Sequence, residues 1–243
     1  MSAETNLEKI KQAAKLFLDL PYKRGEILLI HPYYVDNIMG ITDENGDTQF
    51  IDITKSEEDL RRARNAFAKT IDNAKTVNEI FLDMRMAYHL TFFDMIKTFL
   101  SPKDYGEILA DIWCHTENPN GDVNVPPSES AKLFEKAEKR YMMDEEEMER
   151  YNSLPDKFKV YRGVGAGRVR NGLSWTDNVD KAKWFAERFN DWGAGSGYVL
   201  VGMAEKKDVL AYLNKRDEDE LVISPSKIKN VRRWHDKEAR SLS

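Results

Sequence analysis

Two features of the sequence predict an α+β fold. Helical periodicity dominates as far as about Ser153, and after Pro155 the texture changes to short apolar runs of β type with a single helix among them. Five Trp, ten Tyr and eleven Phe supply enough aromatic bulk for a substantial core.

In chain order, residues 6–19 read as an amphipathic helix, with Leu7, Ile10, Ala14, Phe17 and Leu18 at helical spacing and Pro21 beyond it. Glu26–Ile30 reads as a strand. Ile38–Ile41 and Gln49–Ile53 flank Asn45-Gly46, a dipeptide that tolerates positive φ and so marks a hairpin. Ser56 to Asp59 resembles a capping box opening a helix that runs to about Ala74. Val77 to Leu100 reads as one longer helix with an apolar stripe of Ile80, Met84, Tyr88, Phe92, Met95 and Phe99, stopped by Ser101-Pro102.

A helix over about Lys103–Trp113 leads into a loop rich in Asn, Pro and Gly, from His115 to Pro127. Two helices follow, the first capped by Ser128 and the second by Asp144 with Glu147 three residues on. The acidic run Asp144–Glu149 is then the exposed first turn of the second helix, where negative charge is favoured. The expected strands are Phe158–Tyr161, Gly197–Met203, Leu221–Ile223 and Ile228–Val231. The helix among them, about Asn178–Phe189, turns Ala182, Phe185, Ala186 and Phe189 inward. The chain thus divides into an N-terminal helical and β-hairpin region, 1–102, and a C-terminal domain, 103–243.

Charge and composition narrow the classes of function. A net charge of −5 argues against non-specific nucleic-acid binding by the whole chain, although Lys227, Lys229, Arg232, Arg233, Lys237 and Arg240 form a local basic stretch. Cys114 is the only cysteine, so no intrachain disulfide forms. With four scattered histidines (His31, His89, His115 and His235), no metal site is expected. No signal peptide or membrane-length apolar run is visible, and a cytoplasmic protein is expected.

Three short segments carry the chemistry. Val160-Tyr161-Arg162-Gly163 places an arginine fork at a strand end, next to a glycine that permits close approach of a ligand. Ser174-Trp175-Thr176 places small hydroxyls in a strand, ahead of an Asp177/Asn178 cap and a helix containing Trp184 and Phe185. Glu218-Asp219-Glu220 leads into Leu221–Ile223; on a strand, residues two apart share a face, so the two carboxylates would lie together and raise one another's pKa. Each segment alone is an ordinary feature of a soluble protein.

In this order they resemble the Arg-Ser-Glu class of mono-ADP-ribosyltransferases, a group that includes bacterial toxins and phage-encoded modifiers. The region from about Trp113 to Ser226 is also similar to phage and bacterial proteins with a Tyr-Arg-Gly and Ser-Trp-Thr signature. The likeness does not extend to residues 1–100. The Arg162-to-Ser174 interval is shorter than in many toxins, and Trp175 replaces a small residue.

The resemblance implies a split β-sheet core that uses NAD as substrate, without metal. It implies that Glu220 stabilises the ribosyl cation and binds the 2′-hydroxyl, with Ser174 holding Glu220. Arg162 would bind the NAD phosphate and Gly163 the nicotinamide amide, with Trp175, Thr176 and Phe185 completing the NAD site. Glu218 would orient or deprotonate the acceptor. Residues 212–216 would form the acceptor-recognition loop, with Tyr212 as a contact. Trp184 and Trp192 are further candidates to stack on nicotinamide, and Glu117 to border the pocket. A macromolecular acceptor is implied, a protein arginine first, with a nucleic acid, plain NAD hydrolysis or a non-catalytic binding module as alternatives; no membrane partner is expected.

Overall fold

The computed structural model describes residues 2–26, 28–42, 45–188 and 196–235, and divides into two compact units, Met1–Ser101 and Pro102–Ser243. Ile27, Phe189, Trp192, Lys237 and Arg240 lie outside the described residues.

The first unit opens with α1 (Leu7–Leu18), capped by Asn6, whose side chain accepts from Lys9 N. Among the described residues of the expected strand Glu26–Ile30, Leu29–Ile30 form β2, paired with β1 (Lys23–Arg24). The hairpin is β3 (Ile38–Thr42) and β4 (Thr48–Asp52), with Gly46 at φ 89° between them. Ser56 caps α2 (Glu57–Asn73) by accepting from Asp59 N.

The single helix expected from Val77 to Leu100 is broken. It consists of α3 (Val77–Leu82), a 3-10 turn at Met86–Tyr88, α4 (His89–Ile96) and a second 3-10 turn at Lys97–Phe99. Arg85 is extended at the break (φ −65°, ψ 130°), its N–H donates to Pro32 O and its guanidinium to Leu29 O at 2.6 Å. Those tertiary bonds outweigh continued helix. The apolar stripe is accordingly interrupted: Met84 and Phe92 are buried but Met95 is exposed. The core of this unit is Ile10, Leu18, Tyr34, Ile71, Ile80, Phe92, Phe93 and Ile96, each such side chain contributing roughly 1.5–3 kcal/mol on burial.

The second unit begins with Pro102 in the first turn of α5 (Pro102–His115), where a missing N–H costs nothing. The loop that follows contains a 3-10 turn at Pro119–Gly121, and Asn120 inside it is buried. Three helices follow where two were expected: α6 (Pro127–Lys136), α7 (Lys139–Met142) and α8 (Glu145–Ser153). Ser128 does not cap α6; Pro126 is the cap residue and Pro127 occupies the first position, so Ser128 already lies within the helix.

Asp144 and Glu147 form a reciprocal capping box on α8. Glu147 departs from the expected exposed acidic face. It is buried, and its carboxylate accepts from Asn214 N at 2.6 Å and Asp144 N at 3.0 Å.

Two three-stranded antiparallel sheets follow. The first, in the order β10-β7-β5, joins β5 (Lys157–Val164), β7 (Tyr198–Glu205) and β10 (Lys229–Arg233). The second, in the order β6-β9-β8, joins β6 (Ser174–Trp175), β8 (Val209–Leu213) and β9 (Glu220–Ile223). A single β-bridge between Tyr161 and Thr176 couples them, through Tyr161 N to Thr176 O (2.7 Å) and Thr176 N to Tyr161 O (2.8 Å). The helix between the sheets, α9 (Val179–Glu187), turns Ala182 and Ala186 onto Tyr161, Val199 and Val201. The α+β class expected from the sequence is the class observed.

Candidate active site

The strand ends that meet at the bridge open onto a cavity of about 850 Å³, open solvent at its mouth included. Its walls carry Arg162, Gly163, Ser174, Trp175, Thr176, Phe185, Glu218 and Glu220, all eight of them residues singled out from the three sequence segments.

Glu220 begins β9 and is 9% exposed. One of its oxygens accepts from Trp113 Nε1 at 2.8 Å, and it is also hydrogen-bonded to the Ser174 hydroxyl. Burial raises its pKa above the ordinary carboxylate value, and the negative charge of Glu218 adds to that. The Ser174 and Trp113 bonds and the positive charge of Arg162 pull the other way. Ser174 in turn accepts from Asn120 Nδ2 at 2.8 Å, while Asn120 Oδ1 accepts from Leu173 N at 2.6 Å. A buried carboxylate is thus enclosed by donors on two sides.

Glu218 reaches the same cavity by a route other than strand alternation. It lies before β9, in a turn where Asp217 (φ 55°) and Asp219 (φ 49°) both adopt left-handed backbone. Short acidic side chains are among the few that tolerate that region, because they bond locally. Tyr212 donates its hydroxyl to Asp219 Oδ1 at 2.8 Å, Asp219 N donates to Asn214 Oδ1, and Lys181 Nζ donates to Asp217. Partial burial raises the Glu218 pKa, opposed by Arg216, Arg188 and Lys181; Arg216 Nε is 3.5 Å from its carboxylate.

Arg162 is positioned differently from a ligand-binding fork. It is 6% exposed, and it donates from Nη1 to Ser174 O (2.7 Å), from Nη2 to Val169 O (2.8 Å) and from Nε to Arg170 O (3.3 Å). Three of its donors therefore fasten the 169–174 segment to β5. Burial lowers its pKa to about 10, with Glu220 opposing that change. Gly172 makes room for it: a Cβ there would fall 2.6 Å from Asn120 Oδ1 and nearer still to Arg162 Nη2.

Gly163 likewise answers to packing. A Cβ on it would collide with the Ala182 carbonyl and lie 2.7 Å from Ala186 N, so the close neighbour is α9.

Other expectations are corrected by position. Tyr212 belongs to β8, is 4% exposed and is absent from the cavity wall, so it is not an acceptor-facing loop residue; the turn starts at Asn214. Trp184 is half-exposed and stacks under Arg188 (5.0 Å from Arg Cζ to the ring centroid), leaving Phe185 as the α9 ring in the cavity wall. Trp175 is buried and donates its indole N–H to Gly172 O, and Thr176 Oγ1 accepts from Asn178 N at the entrance to α9. Glu117 does border the cavity, 3.5 Å from both Arg168 and Arg188.

The wall also holds Trp113, Cys114, Asn120, Arg168 and Arg188, which the motif segments did not contain, and Arg216, which stands just ahead of the acidic pair. Burial and the nearby carboxylates push the Cys114 thiol pKa well up, which keeps it a poor nucleophile. Among the described residues there is no group of three or more His, Cys, Asp or Glu arranged to hold a metal ion, and no helix long and apolar enough to cross a membrane. No protein-family model, curated protein or solved structure matches this chain.

Proposed function

We propose that residues 102–243 form a mono-ADP-ribosyltransferase domain, which cleaves the nicotinamide–ribose bond of NAD and passes ADP-ribose to a macromolecule, a protein arginine first. The observation that carries this reading is Glu220, a buried carboxylate at a cavity wall, held by Trp113 and Ser174, with a second carboxylate, Glu218, in the same wall. As the C1′–N bond breaks, its electron pair leaves with nicotinamide and positive charge develops on the ribose. A fixed carboxylate stabilises that oxocarbenium-like transition state without having to reorganise. Glu220 serves this step.

Glu218 takes the proton that an acceptor nitrogen sheds as it attacks C1′. Its raised pKa brings it nearer the range in which a base works efficiently. Phe185 offers a ring face to nicotinamide, and Arg168 and Arg188 supply positive charge to the diphosphate. Arg162 contributes by fixing the 169–174 segment and by its charge near Glu220.

The test uses the whole chain with labelled NAD and cell lysate, repeated with Glu220→Gln and Glu218→Gln. The first change is expected to abolish NAD cleavage. The second is expected to stop transfer while sparing slow NAD hydrolysis. A chain that neither binds NAD nor labels any protein or nucleic acid refutes the proposal.

A further inference from the structure

Two of the groups that hold Glu220, Trp113 and Asn120, lie outside the three motif segments, and their hydrogen-bonding chemistry is directional. An indole N–H only donates, so Trp113 always presents a proton to the Glu220 oxygen 2.8 Å away. Trp113 is itself closely packed: it is 1% exposed on α5 and meets Phe134 edge-on at 5.0 Å.

On the other side the sequence of donors is fixed from the backbone outward. Leu173 N–H requires an acceptor, which sets Asn120 Oδ1 towards it and turns Asn120 Nδ2 towards Ser174 Oγ. Ser174 Oγ thus accepts from Asn120, and because a carboxylate oxygen only accepts, the Ser174 hydroxyl donates its proton to Glu220, its hydrogen-bond partner. Asn120 is 6% exposed, so water does not readily replace it.

We infer that Trp113 and Asn120 are positioning residues for Glu220, the first acting directly and the second through Ser174, which together hold its carboxylate oriented at the cavity wall. The inference rests on the proposed NAD chemistry for its catalytic consequence, while the holding of the carboxylate is a property of the protein alone. Hydrogen bonds to a charged group are strong enough to matter here. Removing one such donor is expected to raise the Glu220 pKa by about one to two pH units.

The test is therefore made at two levels. In protein labelled with ¹³C-carboxyl glutamate, the Glu220 resonance is assigned by its loss in Glu220→Gln and titrated with and without Trp113→Phe, a change that keeps a ring but removes the donor. The expected result is an upward shift of that titration, with the fold checked by circular dichroism. Asn120→Ala and Ser174→Ala are expected to give similar, smaller shifts, and the double variant no more than either alone.

In steady-state NAD cleavage, Trp113→Phe should lower kcat at least tenfold with little change in KM, and move the acid limb of the pH profile upward. A Glu220 titration unchanged in a folded Trp113→Phe protein overturns the role of Trp113. Additive effects of the Asn120 and Ser174 changes overturn the relay through Ser174. A wild-type protein with no NAD turnover but a Glu220 titration that shifts as stated refutes the proposed function and leaves the positioning intact.

Discussion

Replacing Gly172 by alanine tests how tightly the site is built, because the added methyl meets two side chains that have little freedom to move. It would fall 2.6 Å from Asn120 Oδ1 and 2.7 Å from Arg162 Cζ. Arg162 is fastened by three carbonyls and Asn120 by Leu173 and Ser174. Relief therefore means breaking a bond on one of them or moving the backbone. Overpacking of this kind costs about 1–3 kcal/mol.

Taking about 2 kcal/mol, the unfolding temperature of the second unit should fall by roughly 4–8 °C. Because Asn120 bonds Ser174 and Ser174 bonds Glu220, NAD cleavage should fall by tenfold or more even at temperatures where the protein remains folded. Differential scanning calorimetry and single-turnover cleavage check the two parts. Gly167→Ala separates the two causes, since a Cβ there meets nothing within 4 Å while its φ of +72° costs a side chain about 1–2 kcal/mol: it should lower the melting temperature without a loss of cleavage tied to Asn120. A Gly172→Ala protein with wild-type melting and cleavage refutes the argument that this corner is close-packed.

Glu220 has a folded-state pKa raised above its ordinary 4.5, so the folded chain holds its proton more tightly than the unfolded chain does. The favourable contribution of that group is complete below about pH 4.5 and is lost as pH rises through the raised value. Glu220→Gln should therefore gain stability relative to wild type between pH 4 and pH 8, measured by urea unfolding. His31 gives the opposite dependence in the first unit. Burial lowers its pKa from 6.5 to about 4; its Nδ1 accepts from Tyr33 N and Tyr34 N, which protonation would forbid. Stability on the order of 3 kcal/mol should be lost as pH falls from 6.5 towards 4, and circular dichroism melts of residues 1–101 within the full chain would follow it. Glu147→Ala should cost about 2–4 kcal/mol, since it leaves Asn214 N and Asp144 N without their carboxylate. The same change loosens the turn that carries Glu218, so transfer should suffer more than NAD hydrolysis in the labelling assay.

The sequence made the helix caps, the hairpin and the motif strands legible because each is a local pattern: Asn45-Gly46, Asp144 with Glu147, and the β runs after Pro155. It also brought Arg162, Ser174, Glu218 and Glu220 to one cavity. What it did not disclose rests on distant partners. Trp113 meets Glu220 across 107 residues and Asn120 meets Ser174 across 54; the Trp113–Glu117 segment belongs to the resemblance, but no local pattern links it or Asn120 to the carboxylate. Arg85 breaks a well-patterned helix because Leu29 O lies 56 residues away. The strand Val209–Leu213 is a different case: its apolar run is visible in the sequence, but the loop that the resemblance implies over 212–216 overlaps its end.

The bridge between Tyr161 and Thr176 has a consequence for how such a site can diversify. Arg162 follows one end of that staple by one residue, and Ser174 precedes the other by two. The chain between them is fixed over 169–174 by the Arg162 bonds, so the stretch before that is where its length can vary. Its length is therefore decoupled from the placement of the reacting groups. A longer connection at this point is compatible with the same junction of two sheets, and residues inserted between 165 and 168 would redecorate the rim without moving the floor.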